Sequence, residues 1–98
     1  MPPLAADQIS LKLKTIPEWA VKAQSLCRTF KFESFLSSIA FVRRVAKRAE
    51  KDRPHPDIEI HFDTVTLTVA TPDAGGITAS DFTLAERCDE IFAKFLEP

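Results

Sequence analysis

Thiols, imidazoles and long apolar runs are all scarce in this 98-residue chain. Two cysteines, Cys27 and Cys88, are too few and too far apart for a disulfide framework or a zinc motif, so no metal is expected. Both fall on apolar stripes, which predicts buried thiols. His55 and His61 are the only imidazoles available to move a proton near neutral pH. No stretch approaches the length of a membrane span, and no basic segment followed by an apolar run opens the chain. Neither a membrane protein nor a secretory signal is expected, and the setting that follows is cytoplasmic and reducing. The net charge of −1 offers no global attraction to nucleic acid or membrane. Repeats and low-complexity segments are missing too.

Apolar residues make up 45% of the sequence, enough for one globular domain over residues 1–98. A domain this small has little core to spare, so self-association is expected to help cover apolar surface.

Asp7 can cap a short helix through about Lys14, with Ile9, Leu13 and Ile16 turned inward and Pro17 ending it. Trp19–Ala23 and Leu26–Phe32 predict two strands joined by a tight Gln24-Ser25 turn. From Glu33 to about Lys51, Phe35, Ile39, Val42, Ala46 and Ala49 recur at helical spacing, and Leu36 and Val45 widen the stripe. Pro54 forces Arg53 away from helical angles, so this helix must stop by Asp52.

Ile58, Ile60 and Phe62 alternate with polar residues, as do Val65, Leu67 and Val69. The apolar phase shifts by one across Asp63-Thr64, as it should where a hairpin reverses. Gly75-Gly76 permits a sharp loop, and Thr78 with Asp81 predicts a capping box opening the last helix. There Leu84, Cys88, Ile91 and Phe95 form one stripe beside Phe82, Ala85 and Phe92. The order α-β-β-α-β-β-α predicts an α+β fold, a four-stranded antiparallel sheet with helices packed on one face.

Several spaced segments resemble the pterin-4a-carbinolamine dehydratase (dimerisation cofactor) family. They are Ile16-Pro17-Glu18-Trp19, Arg28–Phe32, Phe35, Ala40-Phe41, Val45-Ala46, Ala49-Glu50-Lys51, His55-Pro56-Asp57-Ile58, Gly75–Thr78, Asp81-Phe82 and Leu84-Ala85. Family members typically read His-His-Pro where this chain has Pro54-His55-Pro56, and Thr-His-Asp where it has Thr71-Pro72-Asp73. The resemblance therefore implies that His55 keeps one of three family histidines, that Pro54 and Pro72 replace the other two, and that Asp81 matches an aspartate of the pterin site.

Dehydrating a 4a-hydroxy-tetrahydropterin needs an acid for the departing hydroxyl and a base for the ring nitrogen. Proline has no titratable group and no backbone N–H, so Pro54 and Pro72 can serve as neither. Two readings stand for the residual pair. His55 and Asp81 are a reduced catalytic site, or His55 is a corner residue and Asp81 a helix-capping carboxylate. His61 is expected on the polar side of the hairpin with Glu59, and Asp57 and Asp73 are expected to satisfy turn amides. No cofactor-binding residue is predicted.

Arg43, Arg44, Lys47, Arg48, Lys51 and Arg53 crowd the C-terminal half of the long helix. They complement the helix dipole, and they are also candidates for docking an acidic protein partner. With no aromatic residues among them and a slightly negative chain, nucleic acid is not expected. The resemblance implies a homodimer with sheets continued across the interface, and a tetramer stays open. Degenerate members of this superfamily act as assembly factors for bacterial Rubisco alongside α-carboxysome components. The resemblance thus sets a non-catalytic, chaperone-like protein, with Rubisco as partner and a carboxysome association, against a 4a-hydroxytetrahydrobiopterin dehydratase of reduced activity.

Overall fold

The architecture was analysed in a computed structural model that describes residues 2–51 and 55–96. The predicted element order holds: α1 (Ala6–Leu13), β1 (Ala20–Lys22), β2 (Ser25–Lys31), α2 (Phe35–Lys51), β3 (Asp57–His61), β4 (Thr64–Val69), a short 3-10 turn (Pro72–Ala74) and α3 (Ala79–Leu96). All strand pairs are antiparallel, in the spatial order β1-β2-β4-β3. None of the described helices is long and apolar enough to cross a membrane.

Register decides which side chains meet the helices. Leu26 pairs with Val69, Phe30 with Val65 and Ile60 with Val65, so these residues share one face. Leu26, Phe30, Val65, Leu67 and Val69 are fully buried there. The cluster that locks the helices on is aromatic. Phe30 lies 4.8 Å from Phe41 of α2 and 5.0 Å from Phe92 of α3, centroid to centroid, and Phe32 lies 5.3 Å from Phe92. Each such ring contributes about 1.5–3 kcal/mol by leaving water.

Several local expectations shift. α1 is capped from within, because the Gln8 side chain accepts the Ala5 N–H at 2.8 Å. Asp7 instead stands in the first turn, and the helix ends at Leu13, well before Pro17. The β1–β2 turn is Ala23-Gln24 rather than Gln24-Ser25. Both residues are left-handed (φ +46° and +65°), the pair of angles that matches strand twist in a two-residue hairpin. In α2 the buried stripe is Ser38, Phe41, Val45 and Ala49, while Phe35, Leu36, Ile39 and Ala46 are exposed. Its N-terminal half carries apolar residues on two faces, and only the one containing Phe41 meets the sheet. Ser34 caps this helix by accepting the Ser37 N–H at 3.1 Å.

Cys88 is buried as expected. Cys27 is not: it pairs with Thr68 on the face opposite the helices and is half-exposed. Burial, and then the neighbouring Asp89 charge, push the Cys88 thiol up from 9.0 to about 12. A thiol held neutral in the fold but free to ionise at 9.0 when unfolded stabilises the protein below pH 9. That contribution fades as pH rises from 9 towards 12. In a thiol-labelling assay at pH 8, we expect one prompt reaction, at Cys27, and labelling of Cys88 only on unfolding.

Candidate functional site

The two residues expected to bracket a site sit in opposite environments. His55 precedes β3 and is exposed, and its side chain makes no hydrogen bond or ion pair with another described residue. Asp81 is fully buried in the first turn of α3.

Local sequence explains Asp81. Thr78 is the residue before the helix, and its N–H donates to Asp81 Oδ2 at 2.8 Å while the Asp81 N–H donates to the Thr78 carbonyl at 3.1 Å. This is the carboxylate half of the capping box that the Thr78/Asp81 spacing predicts; the other half differs, because the Asp81 N–H bonds the Thr78 backbone carbonyl and not its hydroxyl. The Thr71 hydroxyl donates to Asp81 Oδ1 at 2.9 Å, and the Thr71 and Thr78 hydroxyls lie 3.1 Å apart. One hydrogen on each hydroxyl therefore makes a chain from Thr78 through Thr71 to the carboxylate. Both carboxylate oxygens are occupied by protein donors, and none of the side chain reaches solvent. The carboxylate ties the end of β4, the 3-10 turn and the start of α3 together.

Pro72 opens the 3-10 turn directly after Thr71, where its fixed φ is accommodated and its missing N–H leaves no bond unmade. Gly75 follows with φ +80°, a left-handed angle that a side chain would strain. Gly76 matters for space: a Cβ there would lie 3.0 Å from Pro3 Cβ. That close approach lets the Leu4 N–H donate to the Ile77 carbonyl at 2.8 Å, strapping the N-terminal arm over the loop. Pro54, the other substituted position, lies outside the described residues, as does Arg53.

Five cavities of about 300 to 450 Å³ mark the surface, and none of these five is lined by His55, Pro72 or Asp81. Among the described residues, no three His, Cys, Asp or Glu side chains gather as a metal site. His61 lies on the polar face as expected, exposed, with Nε2 3.2 Å from Glu59 Oε2. Asp57 and Asp73, expected to hold turn amides, make no side-chain hydrogen bond with a described residue. Both are exposed.

The basic residues are better placed for contact. Arg43, Arg44, Lys47, Arg48 and Lys51 are exposed along α2. Leu36, Ile39, Ala40, Arg43, Arg44 and Lys47 line a shallow cavity of about 450 Å³. Arg44 sits 5.1 Å above the Phe95 ring, which fixes part of this face. Arg48 faces the other way, into a groove shared with Arg87 and Lys94 of α3.

Sequence reasoning missed a polar cluster between the sheet and α3. Asp89 Oδ1 accepts from Trp19 Nε1 at 2.8 Å and from Arg28 at 2.7 Å, and the Arg28 guanidinium lies 4.3 Å from the Phe30 centroid. The Arg28 break in the alternation of β2 was its only signal in the chain.

Comparison with known proteins agrees with this architecture. The family described as pterin 4 alpha carbinolamine dehydratase matches residues 2–91. A protein of Nocardia farcinica named for that dehydratase is 43% identical over 90% of this chain and 93% of its own. One from Chloroflexus aurantiacus, named likewise, is 43% identical over 93% and 98%. The crystal structure of a transcriptional coactivator/pterin dehydratase from Brucella melitensis superposes with a TM-score of 0.86 at 26% identity, covering 91% of this chain and 97% of that one. A pterin dehydratase-like protein identified as a RuBisCO assembly factor in the alpha-carboxysome shares the fold at a TM-score of 0.60 and 21% identity, covering 76% and 86%. With nearly its whole length matched, the chain belongs to the pterin 4 alpha carbinolamine dehydratase family.

Proposed function

We propose that this chain is a non-catalytic member of its family, acting through protein contacts as an assembly factor or chaperone. The observation that carries the reading is the engagement of Asp81. Its carboxylate is fully buried and bonded to Thr71 and Thr78, while Pro72, next to Thr71 in the chain, has no proton to give. Two rings that cannot transfer a proton, at positions 54 and 72, leave His55 as the only imidazole of the matched family set. No cofactor is required by this reading.

The partner surface in this reading is the basic side of α2, namely Arg43, Arg44, Lys47, Arg48 and Lys51. Rubisco is the proposed partner, by analogy with the alpha-carboxysome protein that shares the fold. A cytoplasmic homodimer joined through its sheets, associated with the carboxysome, completes the proposal, with the tetramer as the larger form. Co-expression with an α-carboxysomal Rubisco tests it. We expect more soluble assembled enzyme with the native chain, and none of that gain with Arg44→Glu plus Lys47→Glu. No gain with the native chain overturns the assignment.

A second reading is favoured by the names of the 43%-identical relatives: a 4a-hydroxytetrahydrobiopterin dehydratase of reduced activity, using His55 and Asp81. It requires the 71–81 loop to open and release the carboxylate to substrate.

A further inference from the structure

The loop that carries the Asp81 contacts is held from two directions. Asp81 ties its ends together from inside, and the chain's own N-terminal arm bears on it from outside. Thr71 and Gly76 pair across the neck of the loop as an antiparallel bridge. Between them the Ala74 and Gly75 amides donate to the Thr71 and Pro72 carbonyls, each at 3.0 Å. Gly76 is the crossing point: its backbone pairs with Thr71, and Pro3 packs so near that a Cβ at 76 would lie 3.0 Å from Pro3 Cβ. The next residue, Ile77, is buried and its carbonyl accepts the Leu4 N–H at 2.8 Å. The one after it, Thr78, gives its N–H to Asp81. Three consecutive residues thus lead from the arm to the carboxylate.

The arm itself is lightly anchored. No residue of α1, which follows it, is buried, and Leu4, Ile9 and Leu13 rest only part of their surface on the core. Among the described residues one hydrogen bond, Leu4 to Ile77, joins arm and loop. A cavity of about 360 Å³ lies alongside, lined by Pro3, Leu4, Ile9, Val21 and Gly75–Ile77 among others. Segments with so few buried contacts open at low cost while the core stays folded. We propose that residues 2–4 are a latch on the 71–81 loop. With the arm down, the loop is shut over Asp81. With the arm lifted, the loop parts from the start of α3 and offers the carboxylate to a hydrogen-bond donor from outside. Gly76 lets the latch close, since a side chain there meets Pro3. The arm is therefore an autoinhibitory contact, which goes beyond the non-catalytic reading above and does not depend on it.

Residue-by-residue amide exchange on the full chain tests the latch. Gly76 does not have a left-handed φ, so alanine suits its backbone and is opposed only by Pro3. Gly76→Ala is expected to speed exchange of the Leu4 and Thr78 amides about tenfold, while the amides of β4 keep their native protection. Removing the opposing atoms should close the latch again. Pro3→Gly added to Gly76→Ala brings Thr78 exchange back towards the native rate, whereas Pro3→Ala, which keeps the Cβ, does not. Carbodiimide coupling of Asp81 to an amine, read by mass spectrometry of the folded proteins, should follow the same order. Faster exchange at Leu4 with none at Thr78 would show that the arm holds nothing shut. No acceleration at either amide, equal restoration by Pro3→Gly and Pro3→Ala, or acceleration that extends through β4 would also overturn the proposal. Pterin turnover by the native chain would undo the non-catalytic reading and leave the exchange result standing, so the two can fail separately.

Discussion

Restoring histidine at positions 54 and 72 together is expected to raise the rate of carbinolamine dehydration by about 10²-fold or more over the native chain. General acid or base groups typically contribute about 10²–10⁴ each. The two gains need not multiply, because members of one catalytic unit act together. Each single reversion is therefore expected to gain much less than the pair. A cost accompanies the gain. Pro72 fits its position at the start of the 3-10 turn, so histidine there restores freedom to the unfolded chain and lowers stability by about 0.4–1 kcal/mol. Stopped-flow turnover of a 4a-hydroxy-tetrahydropterin, with thermal melts of the same proteins, reads both effects.

The second large effect is on stability. Asp81→Ala removes the acceptor for the Thr78 N–H and the Thr71 hydroxyl at a fully buried position. Losing a helix cap costs about 1 kcal/mol. Leaving buried donors unpaired adds about 1–3 kcal/mol, for a total of about 2–4 kcal/mol. Asp81→Asn keeps one carbonyl oxygen and is expected to lose less, because its amide nitrogen replaces only one of the two acceptor oxygens. Urea unfolding of the three proteins provides the comparison. A loss below about 0.5 kcal/mol for alanine would mean the Thr71–Asp81–Thr78 chain does not hold the loop.

What the sequence made legible was mainly what lies within one element. Alternation in Val65, Leu67 and Val69, and the stripe from Phe82 to Phe95, placed a strand and a helix whose buried faces agree with the structure. The Thr78/Asp81 spacing revealed a cap because both partners sit within one turn. Long-range bonds left no such trace. Thr71 reaches Asp81 only after the 3-10 turn has folded back, and Asp89 meets a tryptophan 70 residues away. In α2, periodicity could not choose between two apolar faces. Phe35, Leu36 and Ile39 recur as regularly as Phe41 and Val45, and only the sheet's position shows which group is covered. Turn placement failed by one residue for a related reason: left-handed angles at Ala23, Gln24 and Phe62 are imposed by strand twist rather than announced by glycine or asparagine.

Turnover by the unaltered protein, compared with His55→Ala, tests the central claim most directly. With purified chain and a freshly generated carbinolamine pterin, we expect dehydration at the uncatalysed background rate in both proteins. Saturable turnover by the native chain that disappears in His55→Ala would contradict this account and make the protein an enzyme.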